Sequence, residues 1–462
     1  MNTLYNLFKQ HPCITTDSRD CTPGSIFIAL HGDHYDGNRF ALQALEKGCA
    51  YAIVDNPQIL NPNSQPSTLN PQIITVPDTL QALKDIAREH RRQFDIPVIA
   101  ITGTNGKTTT KELVRAVLAE KYNVLATEGN FNNDIGVPKT LLRLAKEHEI
   151  AIIEMGASHP GDIKTLAETA EPTCGIITNV GRAHLQGFGS FEGVKRTKGE
   201  LYEYLAGRKE SLVFINADDD DLVEMLDPQL WVTPYSTDPE KQYTCISGEI
   251  IREEGSPLLK LRWRRPLMDL EESGASQKWH KVQTQLIGDY NINNVLAAIA
   301  VGINFDVDRK SICRALENYH PTNSRSQLLD TRHNRLIVDA YNANPTSMMA
   351  ALENFMLMPI DSTPSPGDGH SSPEKMAILG DMLELGEASH EEHQRIVDYL
   401  EASGMKDVWL VGHEFAATNT AYRKFADADE VKAEIQAHCP EGRLILIKGS
   451  NSTRLHQLPS LL

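Results

Sequence analysis

The stretch Gly103-Thr104-Asn105-Gly106-Lys107-Thr108-Thr109-Thr110 decides how the chain is read. It follows the apolar run Pro97-Val98-Ile99-Ala100-Ile101-Thr102 and precedes a helix-like segment over residues 111–122. A strand that turns through glycines into a helix N-terminus aims backbone N–H groups and the helix dipole at an anion, and a lysine adds a full charge. Thr108, directly after Lys107, is placed to ligate Mg²⁺. Ile101 stands where the strict phosphate-loop pattern has its first glycine. The later glycines, the lysine and the helix supply the mechanism without it. The bland alternative is an ordinary glycine-rich turn, but strand, glycines, Lys-Thr and helix all fall in order.

Bulk properties bound the rest. A chain of 462 residues has room for about two to four domains. Hydrophobic residues make up 40%, enough for packed cores. The net charge of −17, from 45 basic and 62 acidic residues, argues against a nucleic-acid partner, which would want a basic face. Anionic substrates must then be captured by local positive sites. The seven cysteines are scattered, odd in number and free of any Cys-x-x-Cys pair. That predicts a reducing, cytoplasmic setting without a disulfide framework or zinc site. The first ten residues lack a signal-peptide core, and no apolar run approaches ~18 residues, so no membrane span is expected.

Three blocks follow along the chain, all of α/β character. The first, 1–95, has strand-like pieces at 25–30 and 50–54, a helix-like 40–47 and a Pro/Asn/Ser-rich loop at 56–71. The second, 96–319, repeats strand-like segments at 150–153, 174–178 and 212–215 with helices between several of them. Near-continuous apolar strands in that order predict a parallel sheet covered on both faces. Residues 243–287 read as antiparallel strands around a polar loop at 269–277, with a helix at 292–301 after them. The third block, 320–462, has strands at 336–338, 376–379, 408–411 and 444–447 and reads as a smaller doubly wound domain. Its Ser/Pro/Gly-rich segment 359–373 is expected to be a surface loop.

In open parallel sheets ligands bind beyond the C-terminal strand ends. Glu154 ends one strand, Asn179 and His184 follow another, and Asp339 ends a third. Singly, each reads as a capping acid or loop histidine. As a set on the edge that carries Lys107, they point to function. Glu154 and His184 complement Thr108 as metal ligands. Mg²⁺ takes few protein ligands plus phosphate oxygens and water, and the histidine leaves Mn²⁺ open as an alternative. Asn291 and Asn294 lie i, i+3 at the start of a helix. Their carboxamides suit a purine edge, and helix capping is an equal reading.

These residues resemble the Mur ligases, ATP-dependent amide-bond-forming enzymes of peptidoglycan precursor synthesis. The resemblance rests on the phosphate loop, Glu154-Met155-Gly156, Asn179-Val180-Gly181-x-Ala183-His184-Leu185 and Asn291-x-x-Asn294-x-x-Ala297-Ala298, and it spans nearly the whole chain. Four further pieces are most similar to the branch that joins D-alanyl-D-alanine to UDP-N-acetylmuramoyl-tripeptide. They are Asn130-Phe131-Asn132-Asn133-Asp134-Ile135-Gly136-Val137-Pro138, His184-Leu185-x-x-Phe188-Gly189-Ser190, Asp339-Ala340-Tyr341-Asn342-Ala343-Asn344-Pro345 and Leu379-Gly380-Asp381-Met382-Leu383-Glu384-Leu385-Gly386.

The resemblance implies three domains: an N-terminal UDP-sugar domain, a central ATP domain and a C-terminal Rossmann-like domain that closes over the site. It implies that Ser18 and Arg19, with Asp36 and Gly37, meet the UDP-sugar. It implies that Gly103, Thr104, Asn105, Gly106, Lys107, Thr108 and Thr109 hold the ATP phosphates, with Asn291 and Asn294 near adenine. Arg325 would meet the γ-phosphate, and Asp339 the ribose. Many relatives have Gly-Arg where this chain has Ser324-Arg325. Thr108, Glu154, His184 and Lys198 would serve the metals, with Lys198 as a carbamate. Without the resemblance, Lys198 reads as a solvated helix lysine.

The implied chemistry runs through an acyl phosphate, with Lys107, Lys198, His184 and Arg325 as its catalytic residues. A monomer is expected. The alternatives are another Mur-type amide ligase of the folylpolyglutamate- or cyanophycin-synthetase kind, against which the Asp17-Ser18-Arg19 block argues, and a non-catalytic nucleotide-binding scaffold.

Overall fold

The structure, a computed structural model of the chain, describes residues 2–32, 35–56, 58, 70–238, 240–241, 244–253, 256–266, 278–321, 325–358 and 374–462. They form two compact units. One comprises residues 1–100, 123–156 and 162–173, and the other 101–122, 157–161 and 174–462.

The first unit contains a parallel sheet of four strands, ordered Ile14–Thr15, Ile26–Ile28, Tyr51–Val54 and Ile73–Thr75. Successive strand side chains point to opposite faces. Ile26, Ile28 and Ile53 therefore pack with Tyr5 and Phe8 of the helix Asn2–Gln10 and with Leu83 and Ile86 of the helix Thr79–Arg91. Phe27, Ala52 and Val54 face Ala41 and Ala44 of the short helix Ala41–Glu46. The same unit holds the parallel pair Val124–Ala126 and Ile150–Glu154, which carries Glu154 at its C-terminal end.

In the second unit the strands Cys174–Ile177, Leu212–Asn216, Trp231–Ser236 and Ile246–Ile250 pair in parallel, in that order. Antiparallel strands Leu258–Arg264 and His280–Ile287 extend this run. The buried, strongly apolar helix Ile292–Asn304 packs on the helix Lys107–Leu118. A further sheet has the order Gln327–Asp330, Arg335–Asp339, Arg443–Lys448, Glu374–Gly380, Asp407–Val411, Arg423–Phe425. Its first strand is antiparallel and the rest are parallel. Helices Pro345–Leu357 and Ser389–Ala402 cover the face of Ile337, Ala377 and Leu379, while Ala428–Ala437 covers that of Leu336, Val338 and Ile378. Coverage on both faces explains why these strands read as unbroken apolar runs.

The predicted strands are present with edges moved by a residue or two. The helix after the phosphate loop begins at Lys107, four residues before the predicted start, although Thr108, Thr109 and Thr110 are β-branched. Gly106 at φ 79° ends the loop in a left-handed turn, and Thr110 N already donates to Gly106 O at 2.8 Å. The strands Trp231–Ser236, Gln327–Asp330 and Arg423–Phe425 escape the pattern reading, because each mixes exposed or half-buried residues with few apolar ones. The loops expected at 269–277 and 359–373 lie outside the described residues, as does most of that at 56–71. Among the described residues no helix is long and apolar enough to cross a membrane.

Candidate functional site

The phosphate loop is built by close backbone approach. Gly103 sits at φ 136°, where a Cβ would lie 2.0 Å from Thr178 Oγ1. At Gly106 a Cβ would lie 2.6 Å from Asn294 Oδ1. Neither position tolerates a side chain, so both glycines are required by geometry. The adjacent strand end clamps the loop. Thr104 N donates to Asn179 O at 3.0 Å, Asn105 N to Asn179 Oδ1 at 3.0 Å and Thr178 Oγ1 to Asn105 O at 2.5 Å. Gly181 N donates to Thr104 Oγ1 at 2.9 Å.

The helix Lys107–Leu118 starts without a side-chain cap. Its first N–H groups and positive dipole end thus face the loop, as an anion site needs. Lys107 Nζ folds back to donate to Gly103 O at 2.7 Å and Thr104 O at 2.9 Å, which places a full charge over the turn. Thr108 is buried in the first helical turn, and Thr109 follows it.

Asn291 and Asn294 brace this helix from behind. Thr110 Oγ1 donates to Asn294 Oδ1 at 3.0 Å, Asn294 Nδ2 to Asn291 Oδ1 at 2.8 Å and Asn291 Nδ2 to Ile287 O at 2.7 Å. Both are buried, and their carboxamides serve this chain of bonds.

His184 has φ 51°, left-handed for a residue with a Cβ, and precedes the short helix Leu185–Phe188. Its Nδ1 contacts the carboxylate of Glu384. Burial lowers its basicity, Glu384 partly restores it, and the positive charges of Lys107 and Lys198 lower it again. These groups therefore lie in one electrostatic neighbourhood. Lys198 is buried on the helix Phe191–Ala206, with Nζ 5.6 Å from the Phe188 ring centre. The reading of Lys198 as a solvated lysine is thus overturned, because the helix turns that face inward with Thr197 and Leu201.

Several residues after 320 approach the same loops. Asn344 Nδ2 donates to Asn105 Oδ1 at 2.7 Å. Arg182 pairs with Glu392 at 3.1 Å, and Arg182 N donates to Thr346 Oγ1 at 3.3 Å. Arg325 lays its guanidinium 4.0 Å from the Tyr341 ring centre, and its buried Nε has no hydrogen-bond partner among the described residues. Asp339 Oδ2 accepts from the buried Lys448 Nζ at 2.6 Å.

In the first unit, Glu154 is buried and accepts from Asn132 Nδ2 at 2.9 Å through Oε1. Ser18 is buried, and its carbonyl accepts from Lys47 Nζ at 2.6 Å. Arg19 reaches solvent and binds Asp17 with two nitrogens, Nε at 2.9 Å and Nη2 at 2.8 Å. This guanidinium holds the Asp17 carboxyl well below the usual carboxylate range. Asp36 caps the turn Gly37–Phe40 by accepting from Asn38 N at 3.0 Å. At Gly37 a Cβ would lie 2.4 Å from Leu30 O.

Sequence reading did not single out Glu384, Lys448 or Glu392 as site residues. Glu384 stands in a quoted motif, yet no local signal names its partner His184.

The chain matches three family domains: the Mur ligase family catalytic domain over residues 12–91, the Mur ligase middle domain over 101–302 and the Mur ligase, glutamate ligase domain over 324–451. It is 32% identical over 455 residues to the UDP-N-acetylmuramoyl-tripeptide--D-alanyl-D-alanine ligase of Bacillus subtilis, covering 96% of this chain and 92% of that one. The ligase of the same name from Escherichia coli is 32% identical over 452 residues, with 96% and 92% covered. Crystal structure I of MurF from Acinetobacter baumannii superposes with a TM-score of 0.83 at 27% identity, covering 99% of this chain and 97% of that one. MurF from Thermotoga maritima, solved in complex with ADP, shares the fold at a TM-score of 0.81 and 24% identity, with 100% and 98% covered. This chain belongs to the Mur ligase family.

Proposed function

We propose that this protein is an ATP-dependent ligase that joins D-alanyl-D-alanine to UDP-N-acetylmuramoyl-tripeptide through an acyl phosphate. The carrying observation is near full-length identity of 32% to ligases of that name, together with an uncapped helix start behind two glycines that admit no side chain. The chain divides functionally into 1–95 for the UDP-sugar, 96–319 for ATP and 320–462 as the Rossmann-like closing domain. The three matched family domains support that division.

In the first step the tripeptide carboxylate attacks the γ-phosphorus of ATP and ADP leaves. In the second, the dipeptide amine attacks the acyl carbon, phosphate leaves and one proton is released. Two anions meet in the first step, so fixed positive charge must neutralise them. Lys107 and the helix N–H groups supply it at the loop, and Arg325 adds a guanidinium whose Nε is left for a ligand. Asp339, held by Lys448, is the ribose acceptor. Asn291 and Asn294 shape the loop beneath the base. Ser18, Arg19, Asp36 and Gly37 form the UDP-sugar segment, in which Arg19 exchanges Asp17 for a phosphate fork.

The Thr108 hydroxyl and the Glu154 carboxylate are hard oxygen donors that fit Mg²⁺. His184 and a carbamylated Lys198 complete the proposed ligand set, and Mn²⁺ is the alternative ion. The metal supplies charge neutralisation between the reacting anions.

The test is ATP-dependent phosphate release in a co-substrate screen. Release should require both the UDP-linked tripeptide and D-alanyl-D-alanine. D-alanyl-D-alanine should be used far better than L-alanyl-L-alanine or free D-alanine. Release with ATP alone, or preference for a free amino acid, would refute the assignment.

A further inference from the structure

Two segments of the first unit are zipped together beside Ser18 and Arg19. Gly24 N donates to Gly48 O at 2.7 Å, and Ala50 N to Ser25 O at 2.7 Å. Lys47 Nζ donates to Ser18 O at 2.6 Å. A Cβ at Gly48 would lie 3.4 Å from Pro23 Cα, so the two backbones run close. Within this seam Cys49 is buried and Cys21 half-buried, and both are free thiols. They pack into the same apolar cluster, and their side chains interact with each other. Cys49 Sγ also lies 3.3 Å from Ser25 Oγ. Cys21 Sγ donates to Ser18 O at 3.5 Å and to Asp17 O at 3.8 Å. The turn that presents Arg19 is thus held in part by a thiol hydrogen, a weak donor.

We propose that Cys21 and Cys49 are a latent disulfide site, closed by a peroxide, and that closing it weakens the hold of this protein on the UDP-linked tripeptide. Cys21, the more exposed thiol, reacts first. Its thiolate attacks a peroxide oxygen, the O–O bond breaks and hydroxide leaves, which takes up the thiol proton as water. Cys49 Sγ then attacks the sulfenic sulfur, the S–O bond breaks and a second water leaves with the Cys49 proton. Two thiols lose two electrons and two protons, and one peroxide becomes two waters. An S–S bond is about 2.05 Å long, far below any thiol–thiol contact, so closure pulls Cys21 toward Cys49. It also removes the S–H that Ser18 O and Asp17 O accept. Burial and the neighbouring Cys49 push the Cys21 thiol up to about 11, against a smaller pull from Lys47. The nucleophilic thiolate is therefore scarce at neutral pH, and the pair closes only when the oxidant persists.

The cross-link arm of the test is independent of the ligase reading, and the kinetic arm rests on the assignment of Ser18 and Arg19 to the UDP-sugar. The full chain, with the exposed Cys13 and Cys439 changed to serine, is treated with hydrogen peroxide and mapped by non-reducing peptide mass spectrometry. The expected product joins the Cys21 and Cys49 peptides and forms about 100-fold faster at pH 9 than at pH 7, as thiolate supply requires. In the ligation assay the oxidised protein should show a KM for the UDP-linked tripeptide about 3- to 10-fold higher, the scale of one displaced hydrogen bond. The KM for ATP should stay unchanged, and dithiothreitol should restore the first value. Cys21→Ser and Cys49→Ala should each lack the response, and Cys21→Ser serves alone if the buried substitution fails to fold. Absence of the joined peptide in folded, peroxide-treated protein would overturn the site. A joined peptide with an unchanged KM would overturn its effect. Reduced protein that ligates nothing, yet forms the cross-link, would sink the ligase reading alone.

Discussion

Asn344 caps the helix Pro345–Leu357 and also donates its side-chain amide to Asn105 of the phosphate loop at 2.7 Å, 239 residues earlier in the chain. One carboxamide thereby starts a helix and touches the nucleotide loop. Its oxygen accepts from Ser347 N at 2.9 Å, and Ser347 Oγ accepts from Asn344 N at 3.1 Å. Removing it should disturb both jobs. Asn344→Ala is expected to cost about 1 kcal/mol of stability, the usual value of a cap. Ser347→Ala loses only the reciprocal bond from Asn344 N to Ser347 Oγ, keeping the bond from Ser347 N to Asn344 Oδ1 and the contact to Asn105, so it should leave ATP use closer to wild type. A double-mutant cycle of Asn105→Ala and Asn344→Ala on kcat/KM for ATP should give a coupling of at least ~0.5 kcal/mol. Strict additivity would make the amide pair incidental.

Lys107→Ala should fold normally and lose at least ~100-fold in turnover, as sites that lose a preorganised electrostatic donor do. Its Nζ donates to the loop carbonyls of Gly103 at 2.7 Å and Thr104 at 2.9 Å, so its charge sits over the turn. Single-turnover formation of ADP is the measurement, and near-normal rates would remove Lys107 from the mechanism.

Gly103→Ala should be destabilising by more than ~1 kcal/mol, because alanine where φ is positive costs more than glycine's entropy returns. The added methyl would also strike Thr178 Oγ1, which holds Asn105 O. Urea denaturation reads the loss. Gly129→Ala is the comparison, since a Cβ there meets nothing within 4 Å and the strain of φ 53° acts alone. Equal losses at the two sites would show that the contact with Thr178 carries no weight.

Arg325→Ala should lower turnover more than ATP affinity, because a phosphate contact made in the closed, reacting state is realised mainly in the transition state. Arg325→Lys should rescue little. The guanidinium stacks on Tyr341, and a lysine ammonium lacks the planar fork. Loss of ATP binding with an unchanged turnover number would contradict the closing role.

Stability should fall as pH drops below about 6.5, the ordinary histidine value, in part through His393. Burial lowers its pKa, against smaller opposing effects from its bond to Ser389 O and from Asp381, Glu414 and Glu392. Nε2 accepts from Met382 N and Nδ1 lies 2.7 Å from Ser389 O, so the native ring is neutral. With the folded pKa depressed, the unfolded chain binds the extra proton first. Stability is then complete above the unfolded value and lost as pH falls toward the folded one. His393→Gln, which keeps an acceptor for Met382 N, should flatten that part of the profile. Parallel profiles for the two proteins would exclude His393 as a contributor.

The local physics of the phosphate loop was legible in the sequence. Glycines, a lysine and a helix in series state their purpose without tertiary help, because backbone N–H groups, the dipole and the side-chain charge are all supplied within a few residues. The apolar strands were legible for a similar reason: burial on both faces leaves an unbroken hydrophobic run. The edge strands Gln327–Asp330 and Arg423–Phe425 were not, since partial exposure erases the pattern. Pairings between distant segments were also hidden. Asn344 reads locally as a cap, and only the fold brings its amide to Asn105. Glu384 reads as a surface acid until the turn after Glu374–Gly380 presents it to His184. Lys198 reads as solvated until helix packing buries it. Sequence determines chemistry carried by neighbours along the chain. Tertiary structure alone decides which distant polar groups share one desolvated place, because burial and contact depend on how the elements stack.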